Sequence, residues 1–222
     1  MIVSKNEPIT LIGGGAASEA MLQEARALAP EVVAADGGAG VSLSHGVMPC
    51  AVIGDMDSLS DGDRAAVGQE RIHQIDEQDS TDFDKCLRSV QAPLLLGVGF
   101  LGARMDHHLA ACNSLVRHPW QRCVLLGEAD LTFLAQPRLR IGLPVGTPMS
   151  LFPMGAVEGM SDGLEWPVQG HCFAPDGKVG TSNRVVGSVD LSVTAPKMLV
   201  ILPRFALPSV AEALMQGAVW PE

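Results

Sequence analysis

The residues best equipped for chemistry are carboxylates, and they recur where short apolar runs end. Asp36 follows Val32–Ala35, Asp55 and Asp57 follow Ala51–Ile53, and Asp76 follows Arg71–Ile75, with Asp79 and Asp82 a few residues on. One Asp after a strand is ordinary turn chemistry, because its side chain bonds to nearby backbone. Several in succession, most with Gly beside them, return negative charge to one edge of a sheet. Such a cluster repels itself unless a cation sits within it. Mg2+ suits that position, since it takes oxygen ligands and bridges one or two carboxylates to phosphate oxygens.

Glycines mark the same junctions. Gly13-Gly14-Gly15 and Gly37-Gly38 stand where a strand meets a helix. Backbone without Cβ can approach a phosphate there and present N–H groups. A tight turn explains Gly13–Gly15 equally well, and the chain has no GxxxxGK[ST] loop. Lysines are few: Lys5, Lys85, Lys178 and Lys197. Lys85 follows Asp82 by one helical turn. It is either a cation among the site acids or half of an (i, i+3) surface ion pair worth about 0.2–0.5 kcal/mol. Arg104, Asp106 and His107 open another helix just after Gly97-Val98-Gly99 and Gly102. Arg at a helix N-terminus opposes the dipole, which favours a role in holding an anion. His107 and His108 are adjacent, so on a helix they face different ways and do not form a joint metal pair.

The elements that must position these groups read in two textures. Ile9–Ile12, Val32–Ala35, Ala51–Ile53, Arg71–Ile75, Leu94–Val98 and Cys123–Leu126 are short, largely apolar runs. Helical patterns over Ser18–Leu28, Thr81–Val90 and Arg104–Val116 separate several of them. This alternation predicts a parallel sheet buried on both faces, with ligands beyond the C-terminal strand ends. From about Gly127–Asp130 the pattern changes to short runs between Gly, Pro, Asp and Asn: Leu131–Ala135, Arg138–Ile141, Met149–Phe152, Gly170–Phe173, Val185–Val186, Asp190–Val193 and Met198–Leu202. That spacing predicts a β-sandwich or partly open barrel. Pro208–Gly217 reads as one short helix. The expected fold is an α/β N-terminal domain with a parallel sheet (residues 1–128), followed by an all-β sandwich domain (residues 129–222).

Composition narrows the function. The chain has 222 residues, 47% of them apolar, and a formal charge of −10. That charge excludes a general nucleic-acid binder, which needs a basic patch to displace phosphate counterions. It is compatible with a nucleotide enzyme that holds phosphates through metal ions. Cys50, Cys86, Cys112, Cys123 and Cys172 are scattered with no CxxC pair, as expected of free thiols in a reducing compartment. The segment MIVSKNEPITLIGGG lacks the basic region and long apolar stretch of a signal peptide, and no run approaches the ~20 apolar residues that span a bilayer. The expectation is a cytoplasmic protein with no membrane partner.

Taken together and in order, ADGGA (Ala35–Ala39), GDMDS (Gly54–Ser58), DSTDFDK (Asp79–Lys85) and GARMDH (Gly102–His107) resemble the thiamine pyrophosphokinase family. GLEWP (Gly163–Pro167) and TSN (Thr181–Asn183) resemble that family's thiamine-binding signatures. The likeness extends over about residues 9–202. Met56 stands where Phe is common, Gly40 where Asn is common and Ala103 where a second Gly is common, and Pro203–Glu222 runs past the usual end. None of these departures removes a carboxylate.

The resemblance implies a homodimer with active sites shared between subunits and the reaction thiamine + ATP → thiamine diphosphate + AMP. It makes Asp55, Asp57 and Asp79 the candidates for Mg2+. Asp82 completes that shell or orients a metal-bound water. Lys85 and Arg104 offset charge on the transferring group. Asp106 orients the alcohol, ligates metal or serves as general base. Asp36 with Gly37-Gly38, and His107, contact nucleotide or metal. Trp166 offers an aromatic face to the thiazolium cation, an attraction of about 0.5–2 kcal/mol; a half-buried sandwich Trp is the alternative. Ser182 and Asn183 hydrogen-bond the pyrimidine or close a turn. A Mg2+-dependent nucleotide hydrolase, a kinase of another alcohol and a thiamine or nucleotide sensor are the competing functions.

Overall fold

The computed structural model describes residues 1–102 and 104–222. The chain forms two compact units, Met1–Ser114 with Leu125–Glu128, and Leu115–Val124 with Ala129–Glu222.

The first unit is α/β. Its strands are β1 (Val3–Ser4), β2 (Ile9–Ile12), β3 (Glu31–Ala35), β4 (Ala51–Gly54), β5 (Ile72–Gln74), β6 (Val90–Gln91) and β7 (Leu95–Val98). The next strand, β8 (Cys123–Leu126), is buried along its whole length. Parallel pairing runs β7-β2-β3-β4-β5, with Ile12 opposite both Ala34 and Val98 and Ala35 opposite Ile53. β1 and β6 form a separate parallel pair. Every residue of β2, β4 and β7 is buried, which is why these strands read as unbroken apolar runs. Thr10 in β2 is the polar exception, and its hydroxyl donates to the Ala29 carbonyl at 2.7 Å.

The helices begin where side chains can satisfy their first N–H groups. Ser18 caps α1 (Glu19–Leu28), and Ser60 caps α3 (Asp61–Val67). Thr81 caps α4 (Asp82–Ser89) in a capping box with Asp84. The remaining helices of this region are α2 (Gly38–Ser44) and α5 (Met105–Arg117). Ala103 lies outside the described residues.

No helix is expected from the sequence pattern at α2 or α3. GAGVSLS lacks strong helix formers, and what places α2 is its approach to the sheet. A Cβ on Gly38 would lie 2.0 Å from the Ile12 carbonyl oxygen. Gly38→Ala therefore forces helix and strand apart. It should cost at least ~1–3 kcal/mol, read as a lower denaturation midpoint at unchanged slope. An unchanged midpoint would mean that α2 can slide freely on β2.

The second unit is β-rich. It contains β9 (Asp130–Leu134), β10 (Arg138–Ile141), β11 (Pro148–Pro153), β12 (Val157–Leu164), β13 (Cys172–Phe173), β14 (Gly180–Val193) and β15 (Met198–Pro203). All its strand pairs are antiparallel: β9 with β15, β15 with β11, β11 with β14, β14 with both β10 and β12, and β12 with β13. β14 changes partners along its length. Gly180–Arg184 pairs with β11, and Val185–Val193 serves β10 and β12. The sequence showed this strand as two short runs because Gly187-Ser188 interrupts its apolar alternation.

The tail belongs to this unit. α6 (Leu207–Gln216) buries Leu207, Val210, Ala211 and Leu214. Arg122 donates to the carbonyls of Leu214 (2.6 Å) and Gly217 (2.9 Å), and Gln136 donates to Leu214 (2.8 Å). These bonds satisfy carbonyls that the helix end leaves open. The Trp220 indole donates to Ala135 at 2.9 Å. No helix among the described residues is long and apolar enough to cross a membrane.

Candidate active site

β3 and β4 end side by side, and the Asp36 N–H donates to the Ile53 carbonyl at 3.0 Å. This brings Asp36, Asp55 and Asp57 together, with one carboxylate oxygen of each within 4.8 Å of the others. Gly54 makes the convergence possible. A Cβ there would lie 2.8 Å from the Asp36 Cβ and 3.0 Å from Asp82 Oδ1. Asp36 and Met56 both hold positive φ, 42° and 69°. Met56 has no side-chain bond to compensate for that geometry, so GDMDS carries local strain in order to aim its acids.

Asp36 is the most telling of the three. It is 2% exposed. Its Oδ2 accepts from the Ser58 N–H at 3.0 Å, while Oδ1 is buried with no hydrogen-bond partner. A buried carboxylate oxygen left unpaired beside two further carboxylates is a set of hard oxygen donors, and it fits Mg2+. Asp79, the third ligand expected from the sequence, is exposed on the loop before α4, and Asp36, expected to contact nucleotide or metal, is the acid that stands with Asp55 and Asp57.

Burial raises the Asp36 carboxyl to about 6, with Asp82 and Asp57 adding to the shift and the Ser58 N–H opposing it. A raised carboxyl keeps its proton in the folded chain where the unfolded chain has lost it. Its contribution to stability is therefore full below the ordinary value of 3.8 and declines as pH climbs to about 6. In chelator, thermal stability measured relative to Asp36→Asn should fall over that window and level off above it. Parallel pH profiles for the two proteins would contradict the buried, ionising Asp36.

Lys85 is wholly buried, which leaves a cation among the site acids, rather than half of a surface pair, as its reading. Its Nζ donates to Asp55 Oδ2 and to Asp82 Oδ1, both at 3.0 Å. Burial disfavours the ammonium, but the two carboxylate bonds outweigh it and hold the Lys85 pKa above its ordinary value. The Lys85 bond also holds the Asp55 carboxyl below its usual range. Gln78 donates to Asp55 Oδ2 at 3.2 Å, and the Asp55 N–H donates to Asp82 Oδ1 at 3.3 Å. Asp82 and Lys85 thus brace Asp55. The sequence placed both in the site but could not show this bracing; it left Ser58 without a role inside GDMDS and did not mark Gln78.

The cluster borders a cavity of about 650 Å³ lined by Gly13–Gly15, Asp36, Gly37, Asp55, Ser58, Thr81, Asp82, Gly99, Arg104 and His107, among others. Both readings of the triple glycine hold in part. The Gly13 and Gly15 N–H groups are spent on the Val98 and Gly99 carbonyls, and a Cβ on Gly15 would lie 2.6 Å from the Gly99 oxygen. The turn is tight, and it still presents bare backbone to the cavity. Arg104 and Asp106 are exposed and form a forked pair at 2.6 and 3.2 Å. Arg104 holds the Asp106 carboxyl down to about 2, which makes Asp106 a poor proton acceptor near neutrality.

In the second unit Trp166 follows β12 and is 55% exposed, so it is not a core residue. Ser182 is exposed with φ 64°, and its N–H donates to Ser150 Oγ at 3.0 Å. Asn183 is buried and bonded to the main chain of Trp166.

These features have known relatives. The family described as thiamin pyrophosphokinase, catalytic domain, matches residues 22–125, and that described as thiamin pyrophosphokinase, vitamin B1 binding domain, matches residues 140–198. Together they cover well over half of the chain, which belongs to the thiamine pyrophosphokinase family. Thiamine pyrophosphokinase 1 of Arabidopsis thaliana is 29% identical over 168 residues, which is 65% of this chain and 61% of that protein. Thiamine pyrophosphokinase 2 of the same plant is 30% identical over 160 residues, 62% of this chain and 58% of that protein. The chain thus spans about three fifths of the length of these curated relatives. Among solved structures, the thiamin pyrophosphokinase of Candida albicans superposes with a TM-score of 0.71 at 17% identity, covering 90% of this chain and 91% of its own. That of Bacillus subtilis gives 0.70 at 18% identity, covering 89% and 98%. At these identities the solved structures establish a shared fold.

Proposed function

We propose that this chain transfers a pyrophosphoryl group from ATP to the hydroxyl of thiamine, yielding thiamine diphosphate and AMP. The observation that carries the reading is the convergence of Asp36, Asp55 and Asp57, one oxygen of Asp36 buried and unpaired, on a glycine-lined cavity. These three residues would hold Mg2+, which when bound neutralises and aligns the phosphate chain. Asp82, Lys85 and Gln78 keep the Asp55 carboxylate in place. Gly13–Gly15 and Gly37-Gly38 admit phosphates close to the backbone, and Arg104 and His107 line the same cavity. Asp106, held ionised by Arg104, orients the acceptor rather than taking its proton. Asp79, on the exposed loop before α4, is the further candidate ligand. Phosphoryl chemistry of this kind depends on positioning and charge neutralisation more than on covalent help.

Trp166 presents an exposed indole suited to the thiazolium cation, and Ser182 an exposed hydroxyl suited to the pyrimidine. A net charge of −10 favours a cationic acceptor. No disulfide joins the cysteines among the described residues, consistent with the cytoplasm as the site of the reaction. The decisive assay incubates the protein with ATP and Mg2+ with and without thiamine. AMP and thiamine diphosphate should form only when thiamine is present. AMP or ADP released without thiamine would identify a nucleotide hydrolase, and ADP formed with a different alcohol would identify another kinase.

The proposed enzyme is a homodimer in which each site draws on both subunits. Mixing two inactive variants tests this: Asp57→Asn in the α/β unit, and Trp166→Ala with Ser182→Ala in the β-rich unit. Random exchange makes half the dimers mixed, and in a mixed dimer with shared sites one site collects both lesions and the other none. Activity should recover to roughly a quarter of wild type. Confirmed subunit exchange with no recovery would show that each site is built from one chain.

A further inference from the structure

Asn183 does unusual work for a buried side chain. Its Oδ1 accepts from the Trp166 N–H at 3.1 Å and from the Arg184 N–H at 2.8 Å, and its Nδ2 donates to the Trp166 carbonyl at 2.7 Å. One side chain therefore holds both main-chain polar groups of Trp166. The indole cannot supply that anchoring itself, because the residue is more than half exposed. The neighbouring geometry serves the same end. The register of β11 against β14 shifts between Met149 and Leu151, and Ser182 sits there at φ 64° with its N–H tied to Ser150 Oγ. Across this irregularity Asn183 is buried while Ser182 is exposed. The Glu165 N–H donates to the Arg184 carbonyl at 2.9 Å, completing the tie between the segment after β12 and β14.

We infer that Asn183 is a positioning residue that sets the presentation of the Trp166 indole by clamping the Trp166 main chain, and that it acts on thiamine only through that ring. This departs from a direct hydrogen bond between Asn183 and the pyrimidine. It rests on the reading of Trp166 as the thiamine platform. A platform of this kind gains from being held before the ligand arrives, since the ordering cost is then not charged to binding. Asn183→Leu keeps approximate volume and leaves the Trp166 N–H, the Trp166 carbonyl and the Arg184 N–H without their partner. Asn183→Asp keeps the acceptor for the Trp166 and Arg184 N–H groups but sets an oxygen against the Trp166 carbonyl, so it breaks one of the three bonds where Asn183→Leu breaks all three.

The test is a double-mutant cycle in the full-length protein, with thiamine and ATP affinities measured by calorimetry. Asn183→Leu should weaken thiamine about tenfold or more, the scale expected from losing one or two hydrogen bonds of preorganisation, and leave ATP unchanged. In a Trp166→Ala background the same substitution should cost nothing further, because its only route to the ligand is gone. Losses that multiply across the cycle would show direct contact with thiamine and overturn the inference. A second readout is independent of ligand: 19F NMR of protein labelled with 5-fluorotryptophan. The Trp166 resonance, assigned with Trp166→Phe, should shift or broaden in Asn183→Leu and less so in Asn183→Asp, while those of Trp120 and Trp220 stay in place. An unchanged Trp166 line would overturn the clamp. If Trp166→Ala leaves thiamine affinity intact while the 19F signal responds as expected, the clamp stands and the assignment of the thiamine platform fails. Should Asn183→Leu not fold, Asn183→Asp carries both measurements.

Discussion

Asp57→Asn should lower Mg2+-dependent AMP release by about 10²–10³-fold, the usual loss for one electrostatic contact in a transition state. Asp57 is the cleanest residue of the three on which to make this measurement. Its side chain is exposed and accepts from the Ser58 hydroxyl at 2.8 Å. Asn is nearly the same size, so packing survives the change. Asp55 is more entangled, because it accepts from Lys85, Gln78 and the Asp57 N–H. Asp55→Asn should reduce turnover similarly but also loosen the brace around Lys85. Without metal, Asp57→Asn should melt no lower than wild type, and higher if relief of repulsion with Asp36 dominates. Near-normal kcat at saturating Mg2+ would remove Asp57 from the metal shell. A large drop in melting temperature would make it a structural residue instead.

How much of this was legible beforehand differs from element to element, for physical reasons. β2, β4 and β7 were plain because both their faces are buried, so hydrophobicity alone marked them. α1 and α4 were plain because Ser18 and Thr81 cap them. α2 was hidden because its position comes from a backbone approach that only Gly38 permits, and glycine reads as a breaker. β12 was hidden because Gly159 and Gly163 interrupt its apolar pattern. In the site, Asp55 and Asp57 were legible from type and spacing. The close approach of Asp36 to that pair was not, because which strand ends converge is fixed by the β3–β4 register and by the space left at Gly54. Lys85 was legible as a site cation, yet only packing reveals that it faces Asp55 and Asp82 from within the protein.

That burial sets two roles for Lys85 against each other, and Lys85→Met separates them. Met preserves most of the aliphatic volume and removes only the ammonium. If the ammonium braces the carboxylates, its loss leaves Asp55 and Asp82 facing each other around an apolar hole. Removing one partner of a buried pair costs 3–5 kcal/mol in general, and these acids keep some access to water, so about 3 kcal/mol is expected in chelator. The loss should depend on pH in a definite direction. Lys85 holds Asp55 below its ordinary value of 3.8, so the stability it contributes is present above that value and is lost as pH falls through the depressed one. The gap between wild type and Lys85→Met should therefore be widest near neutrality and narrow in acid. Mg2+ should narrow it as well, because a cation held by the Asp55 carboxylate again offsets the repulsion that Lys85 had relieved. A gap that ignores both pH and Mg2+ would reduce Lys85 to packing. If turnover instead collapses while stability stays the same at every pH, the ammonium acts on the phosphate chain rather than on the acids beside it.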